Sequence, residues 1–323
     1  MAYSNEVVRR ARRRLESNKA DHDSLQQARL QEIYARLPRV WEIDKQLRHS
    51  MALAAQAAFR QGGTEAMEQI KEVNLALQAE RKALISDKFP AEYLDESPIC
   101  DHCGGSGYIG SHMCNCLFDL CREEQKKELS LLSAGNASFS QFHLEYYPET
   151  VDPKYGTSPR VIMSKILDIC RKYAAGFSAD SGNLLFNGGT GLGKTFLSAC
   201  IAQEVASKGF SVAYESAQHL FSKLEKDRFH PDEESAAAVQ HLTRCDLLIV
   251  DDLGTELPGN FTTAALYNIV NDRLLAGKPM IISTNLNISE IHERYSPQIA
   301  SRLQGSFQLL PFVGQDIRVL KNK

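Results

Sequence analysis

No apolar run in this sequence approaches the ~20 residues that a membrane-spanning helix needs, so no spanning segment is expected. A secretory leader is not expected either. Arg9, Arg10, Arg12, Arg13 and Arg14 lead into Glu16-Ser17-Asn18-Lys19 and not into an apolar core. Charge of one sign is not in excess: Lys and Arg total 37 against 40 Asp and Glu, a net of −3. Any nucleic-acid surface must therefore be local. Low-complexity tracts and long internal repeats are missing as well. These absences leave a globular, cytoplasmic chain. Its 323 residues, 43% hydrophobic and 24% charged, suit two domains or one with a small module.

Cysteine is sparse except in one stretch. Four of the eight fall in Cys100-x2-Cys103-x10-Cys114-x-Cys116, while Cys121, Cys170, Cys200 and Cys245 are scattered. Without a leader, this pattern argues against a disulfide framework and for a metal cluster. Two sulfurs on one tight turn, and glycines that let the chain reverse before the second pair, suit a tetrahedral structural Zn²⁺. An Fe–S cluster and an unmetallated cluster are the alternatives. His102, His112 and Cys121 are spare donors for the fourth position. Gly105-Ser106-Gly107-Tyr108-Ile109-Gly110 in the same stretch fits G-x-G-x-x-G. No strand-to-helix context surrounds it, so dinucleotide binding is rejected.

The rest of the chain divides by periodicity. Residues 1–97 read as a helical N-terminal region. Ser24 to Leu37 is rich in helix formers, and Pro38 ends it. Val40, Ile43, Leu47, Met51, Ala54 and Ala58 then recur at steps of three and four. After the Gly62-Gly63 break and a Thr64 cap, Met67, Ile70, Val73, Leu77 and Leu84 repeat that spacing. Two such helices predict an antiparallel hairpin. The arginines at 9–14 suit a solvated helix face or a binding arm. Residues 98–132 hold the zinc-binding module and a helix from Leu117 to Leu132. Residues 133–159 form a loop-like linker containing Gly135, Asn136, Pro148, Pro153, Gly156 and Pro159. From 160 to 323, short apolar runs alternate with helical stretches. Asn183–Phe186, Ser211–Tyr214, Leu247–Val250, Met280–Ser283 and Phe307–Leu310 suit buried parallel strands. The fold class is α/β, a three-layer parallel five-stranded sheet.

Gly188-Gly189-Thr190-Gly191-Leu192-Gly193-Lys194-Thr195 matches G-x-x-x-x-G-K-[ST] between a strand and a helix. Its glycines let backbone N–H groups turn inward on phosphate oxygens, and the helix start adds its positive dipole end. Lys194 is expected on the β- and γ-phosphates and Thr195 on Mg²⁺. A second apolar strand, Leu247 to Val250, delivers Asp251 and Asp252 to the same sheet edge. Asp251 suits the Mg²⁺ hydration shell, and Asp252 the attacking water. A third strand ends in Ser283-Thr284-Asn285, whose amide can bond that water or the γ-phosphate. Arg294, Arg302 and Arg318 are candidate cations for the γ-phosphate or plain surface residues.

These residues together resemble the bacterial helicase-loader ATPases of the DnaC/DnaI type, within the AAA+ superfamily. The resemblance runs from about residue 98 to 323, and more loosely over the helical N-terminus. Its most specific parts are Asn187 to Thr195, Leu248-Ile249-Val250-Asp251-Asp252-Leu253-Gly254-Thr255-Glu256 and Ile282-Ser283-Thr284-Asn285-Leu286. It implies an AAA+ P-loop domain with sheet order 5-1-4-3-2. It assigns Asn285 as sensor 1, Arg302 as a trans-acting arginine finger and Arg318 as a sensor 2 candidate. The zinc module ahead of the ATPase looks like the DnaI-type arrangement. There are two departures. The acidic motif ends in Asp251-Asp252 where AAA+ proteins generally carry Asp-Glu. Few residues follow Arg318, so a full helical lid is not expected.

The resemblance implies an ATPase of weak turnover that needs ATP, Mg²⁺ and Zn²⁺ and oligomerises in the ATP state. Its partners would be a ring-shaped, DnaB-type replicative DNA helicase and single-stranded DNA. The N-terminal helices and zinc module would grip the helicase, and the ATPase domain would touch DNA. Lys223, Lys226, Arg228 and Phe229 suit either a single-strand contact or a solvated helix face. The alternatives are a transposition helper ATPase of the IstB type, which generally lacks a zinc module, and a zinc-containing adaptor switched by nucleotide.

Overall fold

The computed structural model describes residues 3–58, 64–132 and 137–321. They form two compact units, Arg14–Cys114 and Met1–Arg13 with Asn115–Lys323. No helix among the described residues is long and apolar enough to cross a membrane.

The unit Arg14–Cys114 contains most of α1 (Asn5–Arg36), then α2 (Pro38–Ala58) and α3 (Thr64–Lys88). Pro38 does more than end a helix. It occupies the first position of α2, where its missing N–H is not needed. Ile33, Val40 and Phe89 are buried together, with Leu84 and Ile85 packed against them. The expected hairpin of α2 and α3 is antiparallel: Arg39 bonds Glu80 and Ser50 bonds Asn74. Its Gly62-Gly63 link lies outside the described residues. Among the described residues the apolar stripe is fully buried at Val40 and Ile43 and partly buried at Leu47, Ile70, Leu77 and Leu84. Met51 is 68% exposed and Val73 57% exposed, because two helices alone cannot enclose a stripe on both. The rejected G-x-G-x-x-G segment is a hairpin. β1 (Tyr108–Ile109) pairs antiparallel with β2 (His112–Met113) across a Gly110-Ser111 turn, with Gly110 at φ 60°.

In the other unit, α4 (Asn115–Leu132) and α5 (Pro159–Ala175) precede a five-stranded sheet. Its strands are β3 (Asn183–Asn187), β4 (Val212–Ser216), β5 (Leu247–Leu253), β6 (Met280–Thr284) and β7 (Phe307–Pro311). All pairings are parallel, in the order β4-β5-β6-β3-β7. Counted from the first strand of this sheet, that is the expected 5-1-4-3-2 read from the opposite edge. The connecting helices are α6 (Lys194–Ser207), α7 (Ala217–Phe229), α8 (Glu233–Arg244), α9 (Asn260–Leu275), α10 (Ile288–Arg294) and α11 (Pro297–Ser306), and α12 (Ile317–Lys321) closes the domain.

Strand side chains alternate between two apolar layers. Leu184, Phe186, Leu247, Ile249 and Ile281 pack with α5 and α6. Leu185, Leu248, Val250, Met280 and Ile282 pack with the layer of α7 to α11. Both faces are therefore dry, which is why these strands read as continuous apolar runs. At the edge of the sheet, buried Gln125 of α4 imitates a neighbouring strand. Its amide donates to Phe210 O at 2.8 Å and accepts from Val212 N–H at 2.9 Å.

Arg273 of α9 is fully buried. Its guanidinium donates to Leu242 O, Thr243 O and Cys245 O at the end of α8, and to Pro279 O just before β6. Burial pulls its pKa down, opposed chiefly by Cys245. Removing it would orphan carbonyls from two segments at once. Arg273→Ala is expected to cost about 3 kcal/mol or more in urea denaturation, and Arg273→Lys to rescue little, since one ammonium cannot span the fork. A loss below about 1 kcal/mol, the scale of one ordinary hydrogen bond, would contradict this account.

Candidate nucleotide site

The loop from β3 to α6 is shaped by three glycines at positive φ, Gly188, Gly191 and Gly193. Gly191 has φ 69°, and a Cβ there would lie 1.8 Å from Asp316 Oδ1. A Cβ on Gly188 would lie 2.3 Å from Phe312 O. The loop is thus clamped by the segment that follows β7. α6 begins at Lys194, so its first N–H groups face the loop's concave side.

Lys194 Nζ donates to Gly188 O at 2.6 Å, Gly189 O at 2.7 Å and Asn285 Oδ1 at 2.5 Å. Burial lowers its pKa, while Asp252 and then Asp251 raise it. The ends of β3 and β6 therefore converge on one ammonium.

The acidic pair lies in a strand irregularity. Val250 pairs with Ile282 and Leu253 with Thr284, so Asp251 and Asp252 stand opposite the single Ser283. This is a β-bulge. It explains why Leu253 packs in the same layer as Leu248 and Val250, where strict alternation would place it in the other. Asp252 is the added residue, with φ 55°, the one non-glycine positive φ among the described residues. Asp251 is buried. Its Oδ1 accepts from Ser283 Oγ, and its Oδ2 from Tyr214 OH at 3.0 Å. Burial raises the Asp252 pKa, and the Asp251 charge adds to this.

A cavity of about 340 Å³ joins these groups. One wall is Thr190 to Phe196 with Asp252, Asn285 and Arg318, and the facing wall is Gln141, Phe142, His143 and Tyr146. The structure brings Gly188, Gly189, Thr190, Gly191, Leu192, Gly193, Lys194, Thr195, Asp251, Asp252, Asn285 and Arg318 together. It does not bring Arg302 or Arg294 into the lining. Arg302 of α11 donates to Tyr267 OH at 2.8 Å and Asn271 Oδ1 at 3.0 Å, with its guanidinium 4.4 Å from the Tyr267 ring centre. Arg294 donates to Glu256 O.

Sequence reasoning missed the facing wall. Tyr147 is fully buried, and its hydroxyl donates to Leu192 O at 2.9 Å. Phe142 stacks on Tyr147 and tilts against Phe196. A signal existed, because Phe139, Phe142, Tyr146 and Tyr147 are too many aromatics for a solvated tether. Ser283 and Tyr214 were missed too, since only the folded register sets them beside Asp251.

The donor chemistry fits the expected groups. Thr195 and Asp251 offer the hard oxygen ligands that Mg²⁺ selects. Sγ atoms of Cys100, Cys103, Cys114 and Cys116 all lie within 4.8 Å of one another. Cys100 and Cys114 are 3.8 Å apart. A tetrahedron with ~2.3 Å Zn–S bonds has edges of about this length. Gly107 N–H donates to Cys103 Sγ at 3.3 Å, the outer bond that steadies a thiolate ligand. In the basic stretch, Lys223 pairs with Glu215, and Lys226 with Asp232 at 3.1 Å. Arg228 instead lies 5.7 Å from the rings of both Phe229 and Phe261, and Phe229 is exposed.

Residues 165–302 match the family described as IstB-like ATP binding protein. The replicative helicase loader DnaC of Escherichia coli strain K12 is 26% identical over 139 residues, 43% of this chain and 56% of the loader. A Bacillus thuringiensis subsp. berliner protein of insertion sequence IS232, described as ATP-binding, is 27% identical over 166 residues, 50% of this chain and 64% of its own. The chain thus spans little more than half the length of the curated loader it matches. A crystal structure of the DnaC helicase loader aligns with a TM-score of 0.47 at 20% identity, over 55% of this chain and 97% of that one.

The left-handed backbone at Asp252 carries its own test. Asp252→Asn is expected to melt near the wild-type temperature, since Asn tolerates this conformation. Asp252→Val is expected to lose about 1–2 kcal/mol more, because a branched Cβ does not. Equal melting of the two variants would show that the backbone there is unstrained.

Proposed function

We propose that this chain, whose residues 165–302 form an IstB-like ATP-binding domain homologous to the DnaC loaders, is an ATP-dependent loader of a ring-shaped, DnaB-type replicative helicase. The observation that carries the nucleotide part is the convergence of Lys194, Asp252 and Asn285 on one cavity at the ends of three parallel strands. The loop N–H groups and Lys194 hold the β- and γ-phosphates. Asp251 and Thr195 hold the Mg²⁺, which when bound neutralises charge on the transferring phosphoryl group. Asp252 accepts the proton of the attacking water, and a carboxylate with a raised pKa suits that task. Asn285 orients the water or the γ-phosphate. Arg318 reaches the phosphates from its own protomer. Arg302 lies off the cavity and serves the site of a neighbouring protomer in an ATP-held homo-oligomer.

The partner part rests on the homology and on the helical hairpin. Met51 of α2 and Val73 of α3 are apolar and exposed, which is the kind of surface a helix-rich partner covers. Zn²⁺ at Cys100, Cys103, Cys114 and Cys116 fixes the fold of the intervening hairpin. Single-stranded DNA is met by Phe229 and Arg228, where a base can stack beside a cation. A second reading, an ATPase helper in transposition, is favoured by the IstB-like family match and the insertion-sequence relative.

Lys194→Ala is expected to abolish binding of a fluorescent ATP analogue, and retained binding would sink the site. With ATP present, a tagged chain is expected to co-purify from native cells with a hexameric helicase, and Val73→Glu to lose it. A transposase in place of the helicase would transfer the reading to the helper. Metal analysis is expected to give near one Zn²⁺ per chain, and Cys114→Ser to lose most of it. Less than half a zinc per wild-type chain would remove the zinc assignment.

A further inference from the structure

A strand bulge leaves ladder groups without their regular partners, and in β5 that deficit falls on the two acidic residues. Ser283 of β6 makes it good with one hydroxyl. Its Oγ accepts from Asp252 N–H at 2.9 Å and donates to Asp251 Oδ1. Ser283 is fully buried, its bond to Asp251 is buried, and its bond from Asp252 N–H is part-buried. The serine therefore touches both members of the acidic pair in different ways: the side chain of one and the backbone of the other. It is not in the cavity lining and does not reach a nucleotide.

The backbone bond matters because Asp252 is left-handed at φ 55°. Such a conformation persists only where surrounding contacts hold it. Regular alternation would send the Asp252 side chain toward Leu248 and Val250, into the apolar layer. The bulge instead delivers it to the cavity beside Lys194. Asp251 has a second side-chain support in Tyr214 OH at 3.0 Å, and the Asp252 N–H is held by the Ser283 hydroxyl.

Resting on the ATPase reading, we propose that Ser283 is the positioning residue of the acidic pair, anchoring the Asp251 carboxylate and pinning the β5 bulge so that the Asp252 carboxylate lines the cavity. Without the hydroxyl, the part-buried Asp252 N–H loses this acceptor and its left-handed turn loses its tie. The strand then regularises and the carboxylate leaves the cavity.

The test uses the full chain with Ser283→Ala, Ser283→Thr and Tyr214→Phe. Three readouts are compared: binding of a fluorescent ATP analogue across a Mg²⁺ titration, steady-state kcat and KM, and the crystallographic φ of Asp252. Ser283→Ala is expected to bind the analogue normally in EDTA and to lose roughly tenfold or more in Mg²⁺ affinity, as lost supports of metal ligands do. Its kcat falls with little change in KM, and Asp252 moves to negative φ. Ser283→Thr keeps the hydroxyl and restores the wild-type pattern. Tyr214→Phe weakens the Mg²⁺ dependence but keeps Asp252 left-handed. Ser283→Cys serves if the alanine variant does not fold. A Ser283→Ala protein with wild-type Mg²⁺ dependence and Asp252 still near its original φ overturns the proposal. If the wild-type chain itself binds no ATP, the nucleotide reading fails, and the Asp252 backbone in Ser283→Ala alone decides for or against the pin.

Discussion

The site depends on one constraint, the parallel register of β5 on β6. A slip of one residue would turn every side chain of a strand to the other face. Ile249, Ile281 and Ile282 are fully buried, and burying such a side chain is worth about 1.5–3 kcal/mol. A single hydrogen bond contributes about 1 kcal/mol net. The apolar layers therefore set the register, and the polar contacts at the strand ends inherit it. Asp251, Ser283 and Asn285 meet because the isoleucines behind them leave the strands no other alignment.

Much of this was legible in the sequence. All five strands lie where the apolar runs place them, because strands dry on both faces write themselves as short uninterrupted runs. The phosphate loop was legible because Gly188, Gly191 and Gly193 hold positive φ, a backbone conformation that glycine adopts without strain. The bulge was not legible. Leu248-Ile249-Val250-Asp251-Asp252-Leu253 reads as an unbroken strand, and only pairing with a strand some thirty residues later shows that Asp252 is an added residue. Nor was the role of Phe142 and Tyr147. Loop composition signals turns, but the contacts of Tyr147 with Leu192 span 45 positions. The exposure of Met51 and Val73 was hidden for the opposite reason. Helical spacing reports which face is apolar and is silent on whether anything covers it.

The two units handle apolar surface differently. In the sheet unit both faces are sealed by helices, and even the edge receives the Gln125 amide. In the helical unit the hairpin carries its stripe past the point where Ile33 and Phe89 can cover it. A long apolar stripe has a solubility cost, and the charged residues around it, Arg39, Glu80 and Arg81 among them, offset that cost.

Arg273 has a bearing on how the domain is made. Its buried charge is met by carbonyl dipoles from the end of α8 and from the residue before β6, and none of those carbonyls can leave water cheaply until the guanidinium arrives. α8, α9 and the entry to β6 therefore cannot consolidate one at a time. The entry to β6, the strand that ends in Ser283 and Thr284, is thereby tied through one guanidinium to two helices that do not line the nucleotide cavity.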